Sequence, residues 1–106
     1  MVSYELSDSA LLHLLTYALE DVEGVRLAGP RKVGEVLSGK RRAARVIREE
    51  DGVRVELGLV ARYGKPLPEL GREVQRAVSE TLRATAGLKV VRVDVTFVEV
   101  EPADAP

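Results

Sequence analysis

The chain has 106 residues, 45% of them apolar, a formal net charge of −1 and no cysteine. That length makes one domain, and the apolar content supplies a core without help from metal or disulfide, burying roughly two-thirds of the surface the unfolded chain exposes. The lack of cysteine excludes thiol catalysis, disulfides and cysteine-ligated zinc or iron–sulfur sites.

Residues 2–6 carry enough apolar character for a short leading strand. Ser7 is a good helix N-cap, and Asp8 in the first turn suits the helix dipole. A helix then runs to about Asp21, with Leu11, Leu15, Ala18 and Val22 as its buried stripe, widened by Leu12, Leu14 and Leu19. His13, Thr16 and Glu20 lie opposite. Gly24 stops the helix, and residues 25–28 read as a short strand. Gly29-Pro30 signals a turn. Val33, Val36 and Leu37 have the spacing of one or two helical turns, and residues 38–42 read as an exposed basic loop.

Residues 44–49 form a strand that Glu50-Asp51-Gly52 turns into the next, an expected hairpin. From 53 to 63 the alternation is strict: Val53, Val55, Leu57, Leu59, Ala61 and Tyr63 share one face, and Arg54, Glu56, Gly58, Val60 and Arg62 the other. Such a strand has one face on a core and one largely in water. Pro66 and Pro68 suit a first helical turn, where the missing N–H costs nothing. The buried stripe of that helix is Leu67, Leu70, Val74, Ala77, Val78 and Leu82, and its outer face alternates in charge. Gly87 is the left-handed residue that ends it. Val91, Val93, Val95 and Phe97 then face the core, while Val98 and Val100 break the alternation, which predicts a bulge or a covered surface there. Residues 102–106 read as a flexible tail to a single domain over 1–101.

The predicted order is (β)-α-β-(α)-β-β-α-β. The crossover helix makes the two long strands parallel and right-handed. The fold class is α+β: a two-layer sandwich, a mixed sheet with two main helices packed on one face.

With these elements placed, the chain resembles the alkaline shock protein family of bacterial envelope-stress proteins. The matching features are Glu23-Gly24-Val25 closing the first helix, the long strand over residues 53–63 with Gly64, the helix segment Val74-Gln75-Arg76-Ala77-Val78, and the strand Val90-Val91-Arg92-Val93-Asp94-Val95. The resemblance spans roughly residues 3–100 and departs between Gly29 and Ala43, where this chain is unusually basic. It implies a small, soluble, non-enzymatic protein tied to cell-envelope homeostasis, and it nominates no active-site residue and no cofactor.

The residues agree with that expectation. His13, the sole histidine, sits on a wet helix face with no nucleophile nearby in sequence. Glu49-Glu50-Asp51 reads as a solvated hairpin tip, because hard cations need some six oxygens in defined geometry. Gly39-Lys40-Arg41 lacks the spacing of a phosphate loop, and no GxGxxG occurs. No cofactor and no metal are expected.

Charge is uneven. Residues 1–25 hold Glu5, Asp8, Glu20, Asp21 and Glu23 with no Lys or Arg, whereas Arg26, Arg31, Lys32, Lys40, Arg41, Arg42, Arg45 and Arg48 stand against Glu35 alone over residues 26–48. Lys40, Arg41, Arg42, Arg45 and Arg48 are therefore candidates for an RNA or other polyanion site, and a solvated loop or a partner for the acidic helix is the competing reading. Single-strand binders also use aromatic platforms, and of Tyr4, Tyr17, Tyr63 and Phe97 the last two are expected to face the core. Val60, Val98 and Val100 are the candidate interface for self-association or protein partners. The longest apolar run, Ala10 to Leu15, is interrupted by His13 and is far short of the ~20 residues of a bilayer-spanning helix. Nor does the start of the chain have the basic, then apolar character of a signal peptide. The expected location is the cytoplasm, with membrane association only through a partner. The absence of Asn and the single Gln75 give a thermophile-like composition.

Overall fold

The computed structural model describes residues 7–28, 44–62 and 64–102. The leading strand expected over residues 2–6, the turns around Val33–Leu37, the basic residues Lys40, Arg41 and Arg42, Tyr63 and the tail beyond Pro102 lie outside the described residues. The described elements run α1 (Asp8–Glu20), β1 (Val25–Leu27), β2 (Ala44–Glu49), β3 (Gly52–Arg62), α2 (Leu67–Ala86) and β4 (Val90–Glu101). This is the order expected from the sequence, as an α+β two-layer sandwich.

β3 is the hub of the sheet. It pairs antiparallel with β2 over its first half, Ala44 opposite Leu57 to Glu49 opposite Gly52. It pairs antiparallel with β1 over its second half, Val25 opposite Ala61 to Leu27 opposite Leu59. β4 runs parallel to β3 along nearly its whole length. A strand has only two edges, so β1 and β2 share one of them end to end and β4 occupies the other.

The helices cover one face. Val53, Val55, Leu57, Leu59 and Ala61 are all buried, as the alternation requires. Val55, Leu57, Leu59 and Ala61 meet Leu70, Val74, Val78 and Leu82 of α2 and Leu11, Leu15, Ala18 and Leu19 of α1 in one core cluster. The α2 stripe advances four residues at a time, so its contact line drifts slowly around the helix. α2 lies over β4, and α1 lies beside it, packed against α2 and β1.

Local signals set the helix ends. The Ser7 hydroxyl accepts from the Ala10 amide at 3.1 Å. Pro66 caps α2, and Gly87 ends it at φ 67° with its amide on the Arg83 carbonyl. The following Leu88 amide reaches the Leu82 carbonyl at 3.1 Å. Within α2, Gly71 has helical φ, and a Cβ placed there would lie 3.9 Å from the Phe97 ring, an ordinary contact. Glycine in a helix interior costs about 1 kcal/mol relative to alanine. Gly71→Ala is therefore expected to stabilise the fold by about 0.5–1 kcal/mol, read as a higher urea midpoint with an unchanged m-value; a lower midpoint would show that α2 and Phe97 lie closer than described.

Three expectations need correction. Val91 does not face the core: it is 40% exposed, because the β3–β4 register shifts between Val53 and Arg54, so that Val90 pairs with Val53 and Arg92 with Arg54. Leu12 is 44% exposed and so does not widen the α1 stripe. Val60 lies on the outer face as expected but is only 4% exposed, for a reason that belongs to the surface described next.

Candidate interaction surface

The sheet face opposite the helices carries paired charges. Register places Arg45 and Ile47 of β2, Arg26 of β1, Arg54, Glu56, Val60 and Arg62 of β3, and Arg92, Asp94, Thr96, Glu99 and Glu101 of β4 on this side. Arg45 meets Glu56 at 3.6 Å, Arg54 meets Glu49 at 3.5 Å, and Arg92 Nε donates to Asp94 Oδ1 at 2.6 Å. Arg26 and Glu101 are bonded although they lie on opposite outer strands. Arg26 stands opposite Val60, and Glu101 stands opposite Arg62, so this ion pair straddles β3 beside Val60, which Arg26 and Glu99 flank in register. Exposed pairs of this kind contribute little to stability, ~0–1 kcal/mol each. Their effect here is to neutralise four arginines of the face, Arg26, Arg45, Arg54 and Arg92, one by one.

The far end of β4 is different. The register shifts again between Leu59 and Val60, leaving Val98 as the extra residue of a bulge. Beyond it, Val100 returns to the core-facing side opposite Ala61. Val98 is 56% exposed and Val100 44%. The bulge expected from the broken alternation is therefore present, and it turns a valine out to solvent.

The outer edge of β4 has no strand partner among the described residues. A shallow groove follows it, floored by residues 90–94 and walled by Gln75 and Ser79 of α2. Within it, Gln75 Nε2 donates to the Val93 carbonyl at 3.0 Å. That bond satisfies one of the orphan groups of an edge strand. No sequence pattern signals this contact; Gln75 is merely a polar residue on the flank of the α2 stripe.

At the other end of α2, Lys65 Nζ donates to Glu73 Oε2 at 2.9 Å and ties the incoming loop to the helix. This hydrogen bond raises the Lys65 ammonium above its ordinary pKa of 10.5; partial desolvation opposes the rise, and the charges of Glu73, Glu69 and Glu23 add to it. A raised lysine pKa means that the folded state holds the proton more tightly than the unfolded one. The contribution is complete below pH 10.5 and disappears as pH climbs through the raised value. Thermal melts of the wild type and Lys65→Met are expected to differ by a constant amount between neutral pH and the ordinary lysine range and to converge above it. A gap that instead widens with alkalinity would show that the Lys65–Glu73 bond is not the source.

Of the five candidate polyanion residues, Arg45 and Arg48 are described. Register puts Arg45 on the open face, beside Glu56, and Arg48 on the helix side of the sheet opposite Val53. The two therefore point to opposite faces. His13 is exposed on α1, as is Tyr17, which is 62% exposed. Among the described residues no three His, Cys, Asp or Glu side chains stand close enough to hold a metal ion. Nor, among them, is any helix long and apolar enough to cross a membrane.

The described residues thus offer paired charges, a strand edge with no strand partner among them and three exposed valines, Val91, Val98 and Val100. No curated protein and no solved structure matches the chain significantly. A family profile does match, over residues 2–102, nearly the whole chain, and its description is a cell envelope-related function. The chain belongs to the alkaline shock protein 23 family.

Proposed function

We propose that this envelope-related protein is a non-enzymatic cytoplasmic component that works by self-association or by docking on protein partners. The observation that carries the reading is the family match across residues 2–102; the family is not a known enzyme family. The exposed Val98 and Val100 and the open edge of β4 supply surface suited to such contacts. Val60, 4% exposed, contributes only if the charged side chains around it move aside. Light scattering across a concentration series, together with affinity purification from the native organism at low salt with and without nuclease, tests the reading. Association or nuclease-resistant protein partners are the expected result. A chain that stays monomeric and retains no protein would overturn it.

A second reading keeps the basic segment: Lys40, Arg41, Arg42, Arg45 and Arg48 binding RNA or another polyanion. It is favoured by the run of basic residues between 26 and 48. Phosphate contacts make affinity fall steeply with salt. Binding that is absent at ~50 mM salt, or unchanged in the Arg41→Ala/Arg42→Ala double variant, removes this reading.

A further inference from the structure

We propose that two copies of this chain join edge to edge through β4, running antiparallel, with Val93 opposite the partner's Val93. Arg92 of each copy then faces the partner's Asp94. The proposal rests on the self-association reading above and gives it a surface and a register.

The backbone restricts the choice. In a strand the N–H and C=O of one residue point to the same side, and successive residues alternate. The Val93 carbonyl points outward, because Gln75 reaches it from the α2 flank. Pairing with β3 is continuous from Val93 to Phe97, so Val95 and Phe97 also present their backbone outward. A symmetric antiparallel pair must set outward residues opposite outward residues, which leaves five registers, and the two centred nearest Phe97 carry Arg92 along to the partner's Val100 or Pro102, away from its Asp94.

Charge selects among them. Val93 opposite the partner's Val95 would set Asp94 against the partner's Asp94. Val95 opposite the partner's Val95 would set Asp94 against the partner's Thr96 and Arg92 against the partner's Val98. Only Val93 opposite the partner's Val93 brings two Arg92–Asp94 pairs together, in the closely spaced positions where cross-strand side chains interact most. Arg92 and Asp94 already lie side by side on the open face, bonded at 2.6 Å. Each has only to exchange an intrastrand partner for its equivalent across the joint. Val91, 40% exposed at its bulge, then stands opposite the partner's Val95 and loses its contact with water. The cost is the single Gln75 bond to Val93, which a backbone N–H of the partner replaces. Such a two-fold contact is self-complementary, as a homodimer requires.

Charge reversal tests both surface and register. The full chain is measured by light scattering and sedimentation as wild type, as Asp94→Arg and as Arg92→Asp, with circular dichroism to confirm the fold of each. The wild type is expected to dimerise. Each variant alone sets like charges opposite one another and is expected to self-associate roughly tenfold or more weakly. An equimolar mixture of the two restores complementary pairs and is expected to give heterodimers. A wild type that stays monomeric overturns this proposal and the self-association reading together. A wild type that associates while the variants associate equally well, or while their mixture regains nothing, overturns the β4 joint and leaves self-association through another surface.

Discussion

Replacing Gly52 with alanine is expected to cost about 2–6 kcal/mol, from overpacking of about 1–3 together with a strained backbone of similar size. Gly52 opens β3 at φ +151°, and a Cβ there would sit 2.3 Å from the Lys89 carbonyl oxygen. That oxygen belongs to the backbone and cannot rotate away. It also accepts the Val53 amide at 2.9 Å, at the start of the β3–β4 ladder. Relieving the clash therefore means giving up the hydrogen bond that aligns the two long strands. Gly64 supplies the control. It has a comparable φ of +136°, but nothing lies within 4 Å of its Cβ position, so Gly64→Ala incurs the backbone strain alone. Urea unfolding of both variants separates the two terms. Equal losses at the two positions would falsify the close approach of Lys89.

Leu59→Ala is the second large effect, expected to destabilise by about 2–5 kcal/mol through lost transfer energy and a residual cavity. Leu59 is fully buried. It stands between Leu27 of β1 and Phe97 of β4, on the face of β3 that the helices cover. Its neighbours are held by the sheet register and have little freedom to collapse into the gap, which favours the upper part of the range. Since domains of this size are stable by only about 5–15 kcal/mol, the variant should unfold at markedly lower urea. Val98→Ala on the exposed bulge should stay within about 0.5 kcal/mol of wild type. If both truncations cost the same, the core is not where the buried residues place it.

Much of this architecture could be read from the residues. β3 declares itself because its face period of two is unbroken and every residue of one face is apolar. α2 is bounded by the two residue types that mark helix ends most sharply, proline at the start and glycine at the finish. Its stripe of Leu70, Val74, Val78 and Leu82 is buried as read. The errors have a common source. Val91 and Leu12 look like core residues by their spacing, but a bulge shifts the parity of β4, and the covering power of α1 depends on where α2 lies. Neither is encoded within the window of a strand or helix. Val60 was legible as an outer-face residue but not as a buried one, because its flanking residues, Arg26 of β1 and Glu99 of β4, are brought beside it only by the sheet. The surface was partly legible: Val98 and Val100 stood out as breaks in a pattern. The Gln75 bond to Val93 did not, since a single glutamine on a helix flank has no signature until the strand edge beneath it is placed.

The central position of β3 has a consequence for how the molecule opens. Every strand pair in the described sheet includes β3. β1, β2 or β4 can fray from it one at a time, and each such event frees only the β3 amides that face the departing strand, while the alternate ones stay bonded on the other edge. In deuterated solvent the β3 amides, flanked on both edges and covered by the helices, should therefore be among the slowest to exchange. The outward amides of Val93, Val95 and Phe97 should exchange orders of magnitude sooner. Those three positions are thus a built-in reporter: protection that grows there with protein concentration, while β3 stays unchanged, would mark the arrival of another strand.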